Sequence, residues 1–265
     1  MSCTVVLIPC LNAYEDLIES IKSIEYWPNR LDAVVVDDGS TSRINSSILE
    51  DRFPLMEFHV LRNEESRGIE DALNLGLIYI RENIKDCKYV ARLDAGDLCK
   101  NKRLIKQEEY LNSHPNVHLV SSWVNYVDTN KEVHFIFKPN LKYEEMKSKI
   151  YLFNPFVHPS VIFRLDTIFK LGLYTKKYPA LEDYALFMKL LKHYEAFIIP
   201  EILLDYEVNP TSISSRKRLQ QTSSKIRLIR DNFYFGIFPI VGILKNILLL
   251  VINRNVSTYI KRLLR

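Results

Sequence analysis

A chain of 265 residues, 47% hydrophobic and 26% charged with only 7 glycines, is long enough to bury a large core, which excludes a low-complexity, fibrous or linker-rich architecture. Its four cysteines (Cys3, Cys10, Cys87 and Cys99) form no CxxC pair and no zinc spacing with a histidine, so buried thiols in a reducing compartment are expected. The net charge of +4 conceals a split, because residues 216–265 carry eleven Lys/Arg against the single acid Asp231, a balance of +10 that leaves −6 for the 215 residues before them.

Thr4 to Ile8 is a short β-branched run stopped by Pro9 and reads as a buried first strand. It is too short, and lacks the basic start, for a signal peptide, so a cytoplasmic protein is expected. Leu17, Ile18, Ile21 and Ile24 recur at helical spacing between Tyr14 and Glu25, and Pro28-Asn29 breaks that helix. Leu31 to Val36 is a second buried strand. A strand, a helix and a strand joined by short connections make a βαβ unit, which implies parallel pairing. Phe58 to Leu61 gives a third strand, Gly68 to Asn83 a helix with Leu73, Leu77 and Ile80 inward, and Cys87 to Leu93 a fourth strand. A helix over Lys102–Asn112 follows, then a strand over Val117–Val127 whose middle is weakened by Ser121-Ser122. Beyond Asn130 the pattern loosens into hairpin-like pieces and short helices, with a helix from about Glu182 to Tyr194. The result is one α/β domain with a less regular second half.

Three acidic clusters fall where the chain leaves a strand or enters a helix: Asp37-Asp38-Gly39, Asp94-Ala95-Gly96-Asp97 and Glu182-Asp183. Each alone is equally a turn or a helix-dipole partner. Together, in this order, they suit a ligand at the carboxyl edge of a sheet, with a carboxylate for a ribose or base edge and a carboxylate pair for a divalent metal on a diphosphate.

These residues resemble the inverting family 2 glycosyltransferases of the GT-A fold, over most of the first 215 residues. Val6 to Asn12, including Pro9 and Asn12, is similar to the opening strand and loop that receives the nucleotide. Val34 to Thr41 is similar to the second-strand signature containing Asp37 and Asp38, whose later aspartate holds the uracil, and Gly68 to Gly76 has the family's glycine and Asn-x-Gly spacing. Arg92 to Asp97, followed by Arg103 to Gln107, resembles the metal-binding segment, while His158 to Arg164 and Glu182-Asp183-Tyr184 resemble the acceptor-side strand and the catalytic-base motif. The resemblance implies a GT-A domain over residues 1–215. It implies a nucleotide-sugar donor held by Pro9, Asn12, Asp37, Asp38, Gly68 and Asp94, with Mg²⁺ or Mn²⁺ held by Asp94 and Asp97. Asp183 is the expected base, Glu182 its neighbour or substitute, and His158 a contact to diphosphate or acceptor. The family writes its central motif Asp-x-Asp-Asp, and Gly96 stands where the main metal ligand is usually found. That leaves the metal's strength and identity open, with Arg or Lys side chains as an alternative source of positive charge.

A nucleotidyltransferase would carry a Gly-rich basic loop after the first strand, and Pro9-Cys10-Leu11-Asn12 is not one. A glycoside hydrolase would use two carboxylates but needs no nucleotide signature. An inactive nucleotide-sugar-binding protein or a membrane scaffold of the same fold stays the alternative to an enzyme.

After Asn209-Pro210 the composition changes to a basic run and then a strongly apolar stretch from Phe233 to Ile252. Pro239, Gly242, Lys245 and Asn246 interrupt that stretch, so residues 216–265 are expected to lie on a membrane surface, ahead of a true span or a packed core helix. Beside an apolar stretch, basic residues favour lipid over nucleic acid. The expectation is a transferase at the inner face of the plasma membrane that acts on a lipid-linked glycan, such as an O-antigen, lipopolysaccharide, capsule or exopolysaccharide precursor.

Overall fold

The computed structural model describes residues 4–26, 30–208 and 218–251. The break expected at Pro28-Asn29 lies outside them, as do Cys3 and the 215/216 boundary. The chain runs β1 (Thr4–Cys10), α1 (Tyr14–Lys22), β2 (Leu31–Asp37), α2 (Ser46–Arg52), β3 (Met56–Arg62), α3 (Ile69–Asn83) and β4 (Tyr89–Arg92). Then come β5 (Leu98–Cys99), α4 (Arg103–Ser113), β6 (Val117–Val127), β7 (Val133–Phe137), α5 (Tyr143–Lys149), a 3-10 turn (His158–Ser160), β8 (Ile162–Arg164) and α6 (Leu165–Leu171). α7 (Glu182–His193), β9 (Glu195–Glu207), α8 (Arg218–Asp231) and α9 (Ile237–Val251) complete it.

One sheet organises the molecule, in the order β3-β2-β1-β4-β8-β6-β9-β5, with β7 on β6. β3, β2, β1 and β4 are mutually parallel, β8 runs antiparallel between β4 and β6, and β9 is parallel to β6. Alternate residues of β1 feed two cores. Val5 and Leu7 face α3 and the helices of the second half, while Val6 and Ile8 face α1, α2 and α4. Leu73, Leu77 and Ile80 of α3 are fully buried as the spacing predicts, each contributing ~1.5–3 kcal/mol of apolar burial.

Two predicted elements end elsewhere than expected, and the strand expected over Val117–Val127 is present with those bounds. β1 continues through Pro9 to Cys10, because its ladder with β4 ends at Leu7 and the missing N–H of Pro9 costs no bond there. α1 stops at Lys22 rather than Glu25, since Ser23 Oγ donates to Ser20 O (2.6 Å) and accepts from Cys99 N–H (2.8 Å). β6 keeps Ser121 in its middle because that hydroxyl is paired with Ser160 Oγ (2.7 Å) in the core.

The two tail helices pack on the body. Leu228 and Ile229 of α8 join the same core as Leu73 and Phe187. No helix among the described residues is long and apolar enough to cross a membrane.

Candidate active site

β1, β2 and β4 are parallel neighbours, so their carboxyl ends open on one edge, where an α/β sheet receives ligands. Beyond β1 the chain reaches Asn12, whose φ of 53° is left-handed. Asn12 N–H donates to Ser40 Oγ (2.8 Å) and Asn12 Oδ1 accepts from Thr41 N–H (2.8 Å), clasping the loops after β1 and β2 together. Asp37 is fully buried, accepts from Ser40 N–H (2.8 Å) and pairs with Arg62. Asp38 accepts from Asn63 Nδ2 (2.7 Å), Ser66 Oγ (2.8 Å), Arg67 N–H (3.0 Å) and Gly68 N–H (3.0 Å). A carboxylate has about four lone-pair sites, so this set is full. Burial pushes Asp38 up, but the donors, led by Arg67 N–H, outweigh it and hold the carboxyl below its usual range. Asp38 therefore fixes the loop that starts α3 at Gly68, and a nucleobase would reach its oxygens only by displacing one of these donors.

β4 ends on Arg92, a fully buried guanidinium. Its Nη1 donates to Leu7 O (2.5 Å) and Leu93 O (3.2 Å), its Nη2 pairs with Asp94, and its Nε donates to His158 Nε2 (3.4 Å). One side chain thus joins β1, the acidic loop and the 3-10 turn. In that loop Gly96 has φ 104°, a conformation that side chains avoid. A Cβ at 96 would stand 4.0 Å from the Glu207 carboxyl at the end of β9. Glu207 is paired with Lys131 Nζ (2.5 Å), which also donates to Gly96 O (3.1 Å). The place of the family's usual second carboxylate is therefore bordered by a carboxylate and an ammonium from elsewhere in the chain.

Asp97 is 3% exposed; Oδ1 accepts from Glu207 N–H (2.8 Å), while Oδ2 is buried without a hydrogen-bond partner. Burial, then the charge of Asp94, hold Asp97 well above the usual carboxylate range. An orphaned buried carboxylate oxygen with a second carboxylate at hand is a donor set that a hard divalent cation satisfies, so Asp94 and Asp97 fit Mg²⁺ or Mn²⁺. A separate group, Asp32, Glu57 and His59, brings three ligand atoms within 4.8 Å of one another. It lies on the early residues of β2 and β3, away from the carboxyl edge, and His59 is already bonded to Asp32 Oδ1 (3.1 Å) and Tyr79 OH (3.1 Å). An apolar cavity lined by Ile21, Leu31, Phe53 and Met56 likewise contains none of the predicted site residues.

The acceptor-side motifs meet this edge. His158 Nε2 receives both Arg92 Nε–H and the Tyr174 hydroxyl (2.7 Å), which places the ring proton on Nδ1. Burial and the Arg92 charge hold His158 well below its usual value, so it is neutral. At the start of α7, Asp183 accepts from Tyr184 N–H (2.6 Å) and from Asn154 Nδ2 (3.1 Å). Burial raises Asp183 to about 6 against the pull of Tyr184 N–H, and the Asp94 charge adds to the rise. Burial and then the Asp183 charge raise Glu182 to about 8, with Glu70 and Asp94 contributing; its Oε2 is buried without a partner. Arg92 joins Asp94 to His158, His158 meets Tyr174, and the Asp94 charge reaches both α7 acids, so the acids of the β4 loop and of α7 lie at one site.

Asp94, Asp97, His158, Glu182 and Asp183 are thus gathered together, while Asp37 at the end of β2 and Asp38 just beyond it have their oxygens bonded within the protein. Arg92, Asn154, Tyr174, Lys131 and Glu207 were not predicted. Arg92 lay in plain view beside Asp94, whereas the others carry no signal in a single sequence, being joined to the site only by folding.

The model of the family "Glycosyl transferase family 2" matches residues 5–171. The amylovoran biosynthesis glycosyltransferase AmsE of Erwinia amylovora is 26% identical, over 82% of this chain and 79% of its own. The UDP-Gal:alpha-D-GlcNAc-diphosphoundecaprenol beta-1,3-galactosyltransferase of Escherichia coli is 26% identical, over 74% of this chain and 70% of its own. Among solved structures, the mannosyltransferase PcManGT from Pyrobaculum calidifontis, in complex with GDP-Man and Mn²⁺, superposes with a TM-score of 0.63 at 19% identity, covering 92% of this chain and 68% of that one. Sheet order, acidic edge and family match converge: the chain is a glycosyltransferase of family 2, built on the GT-A fold.

Proposed function

We propose that this enzyme transfers a sugar from a UDP-linked donor to a hydroxyl of a glycan carried on a membrane lipid, with inversion, during cell-surface polysaccharide synthesis at the inner face of the plasma membrane. The observation that carries the reading is Asp183, a partly buried carboxylate raised to about 6, held by Tyr184 N–H and Asn154 in the cleft that also holds Asp94. An alcohol is far too weak an acid to ionise alone at neutral pH, and a carboxylate poised near 6 is ionised there yet basic enough to take its proton. The acceptor oxygen bonds to the anomeric carbon as its proton passes to Asp183. The bond from that carbon to the donor's diphosphate oxygen breaks on the opposite face, and the nucleoside diphosphate leaves with the electron pair. A divalent cation held by Asp94 and Asp97 would supply positive charge to the diphosphate. Neutral His158, fixed by Arg92 and Tyr174, is suited to direct its Nδ1–H to a polar group of donor or acceptor.

The carrier name of the Escherichia coli relative supports a lipid-linked acceptor, and its UDP-Gal supports a uridine donor; the amylovoran relative supports polysaccharide assembly. The cation in the mannosyltransferase complex supports a metal-assisted site.

The test is release of UDP from a panel of UDP-sugars in the presence of a diphosphoundecaprenol-linked glycan, with and without EDTA. Asp183→Asn should lower turnover by ~10²–10⁴ while donor binding persists. Full turnover by that variant would remove Asp183 from the reaction.

A further inference from the structure

The α8–α9 hairpin presents a face that the protein itself leaves uncovered. The inner side of α9 is closely seated: Pro239, Gly242 and Asn246 are buried, and Phe238 and Ile243 pack on the core. At Gly242 the approach is so tight that an added Cβ would meet Tyr151 O at 2.4 Å. The outer side carries an apolar stripe with the exposed Lys245 at its border. Ile237, Ile240, Val241, Leu244, Ile247, Leu248 and Val251 recur at three- and four-residue steps along one stripe, with Leu244 60% and Val251 81% exposed. At the helix start Phe235 stands 96% exposed beside the exposed Phe233 and Tyr234.

We infer that this stripe and the aromatic turn before it are the surface by which the enzyme lies on an anionic lipid bilayer, with α9 in the plane of the interface. No helix among the described residues is long and apolar enough to cross a membrane, and two observations favour lipid over a second copy of the chain. Aromatic side chains at the turn are the groups that settle at the headgroup level. The sequence from 216 to 265 has its balance of +10, which anionic headgroups neutralise and a second identical tail would repel.

The position of the hairpin gives the surface a use, which rests on the lipid-carried acceptor proposed above. Lys225 Nζ (3.1 Å) and Lys245 Nζ (3.4 Å) both donate to Leu152 O, and Tyr151 OH donates to Asn232 O (2.9 Å) between the two helices. Two residues beyond Leu152, Asn154 donates to Asp183. The helix that meets lipid is thus bonded to the segment that holds the base, so an acceptor hydroxyl on a lipid carrier would arrive on the Asp183 side of the cleft.

The experiment is vesicle co-sedimentation of the full chain without any sugar donor, on phosphatidylcholine alone and with about one-third phosphatidylglycerol. The native protein should sediment with the anionic vesicles and release at high salt. Leu244→Glu/Leu248→Glu should bind at least ~10-fold more weakly, with the unfolding temperature of the native chain, while Leu55→Glu at a remote exposed site should bind normally. Undiminished binding by the double variant overturns the inference. So does a vesicle-indifferent native protein whose dimer, in sedimentation velocity, is dissolved by the same substitutions, since the stripe would then face a second copy. Native vesicle binding together with no transfer to any lipid-linked glycan would refute the proposed acceptor and leave the surface standing.

Discussion

Replacing Glu182 with glutamine removes a charge and keeps a shape, and the structure gives the size of the effect. Glu182 has a buried Oε2 without a partner, with Asp183, Glu70 and Asp94 all acting on it. Its rise from 4.5 to about 8 corresponds, at ~1.4 kcal/mol per pH unit, to a ceiling of ~5 kcal/mol. Asp183 titrates with it, so ~2–3 kcal/mol is the share expected for Glu182 alone. A carboxyl raised on folding binds its proton more tightly in the folded chain. Its contribution is complete below the ordinary 4.5 and is lost as pH climbs through 8. At ~2–4 °C per kcal/mol for a domain of this size, the native Tm should fall ~5–10 °C more than that of Glu182→Gln between about pH 4.5 and about pH 9. Thermal unfolding of both proteins across that range measures the difference directly. Parallel curves would refute the buried, protonated Glu182. The same variant assigns the base: at pH 7 glutamine resembles the protonated acid, so transfer should stay within about threefold, whereas a loss near 10³ would move general-base duty from Asp183 to Glu182.

Asn154→Ala removes a donor that favours ionised Asp183, so the acidic limb of kcat, expected near 6, should move up by roughly one unit with activity recovering at higher pH; an unmoved limb dismisses Asn154 as a positioning residue. Asp97→Asn should weaken Mn²⁺ binding, read by titration calorimetry, more than ~10-fold, and should leave the metal-free Tm equal or higher because an unpaired buried acid is gone. Unchanged Mn²⁺ affinity would detach Asp97 from the cation. Gly96→Asp restores the family's usual residue yet must adopt φ 104° beside Glu207, costing ~1–3 kcal/mol, so Tm should drop by several degrees. An undiminished Tm with much tighter Mn²⁺ would show that the glycine is dispensable.

The first half of the fold was legible because β1 and β2 are β-branched runs and the helices between the strands keep their apolar spacing. β9 was not, although it is thirteen residues long and pairs along the whole of β6. Pro200 and Glu201 interrupt its pattern, and the register to β6 jumps there from Ile199↔Ser122 to Ile202↔Trp123, so the break in the pattern is a bulge. α2 went unnoticed because its signal is short, with one buried leucine, Leu49, and an Asn45 cap on Ser47 N–H (3.0 Å). In the site, the acids were visible as residue types at strand ends, but their states were not. Asp38 and Asp183 are both aspartates opening loops or helices; four donors hold one below its usual range, and burial among acids lifts the other. Glu207 reaches the metal motif from 110 residues away, a distance closed by the antiparallel pairing of β5 with β9, Leu98 opposite Asp205.

The fold also determines which perturbation of the tail is informative. Sequence composition invites removal of residues 216–265 as a test of membrane attachment. Yet that cut would strip Leu228 and Ile229, both essentially buried, from the main core, at ~2–5 kcal/mol for each cavity. It would also remove both lysines from Leu152 O and the Asn232 carbonyl from Tyr151, loosening the segment that leads to Asn154 and Asp183. A truncated chain that lost transfer, or lost vesicle binding through unfolding, would say nothing about lipid. The outer stripe of α9 lies opposite all of these contacts, so charge placed at Leu244 and Leu248 alters what the helix meets and leaves what it holds. Attachment and catalysis are therefore separable at the outer face of α9 and inseparable at its root.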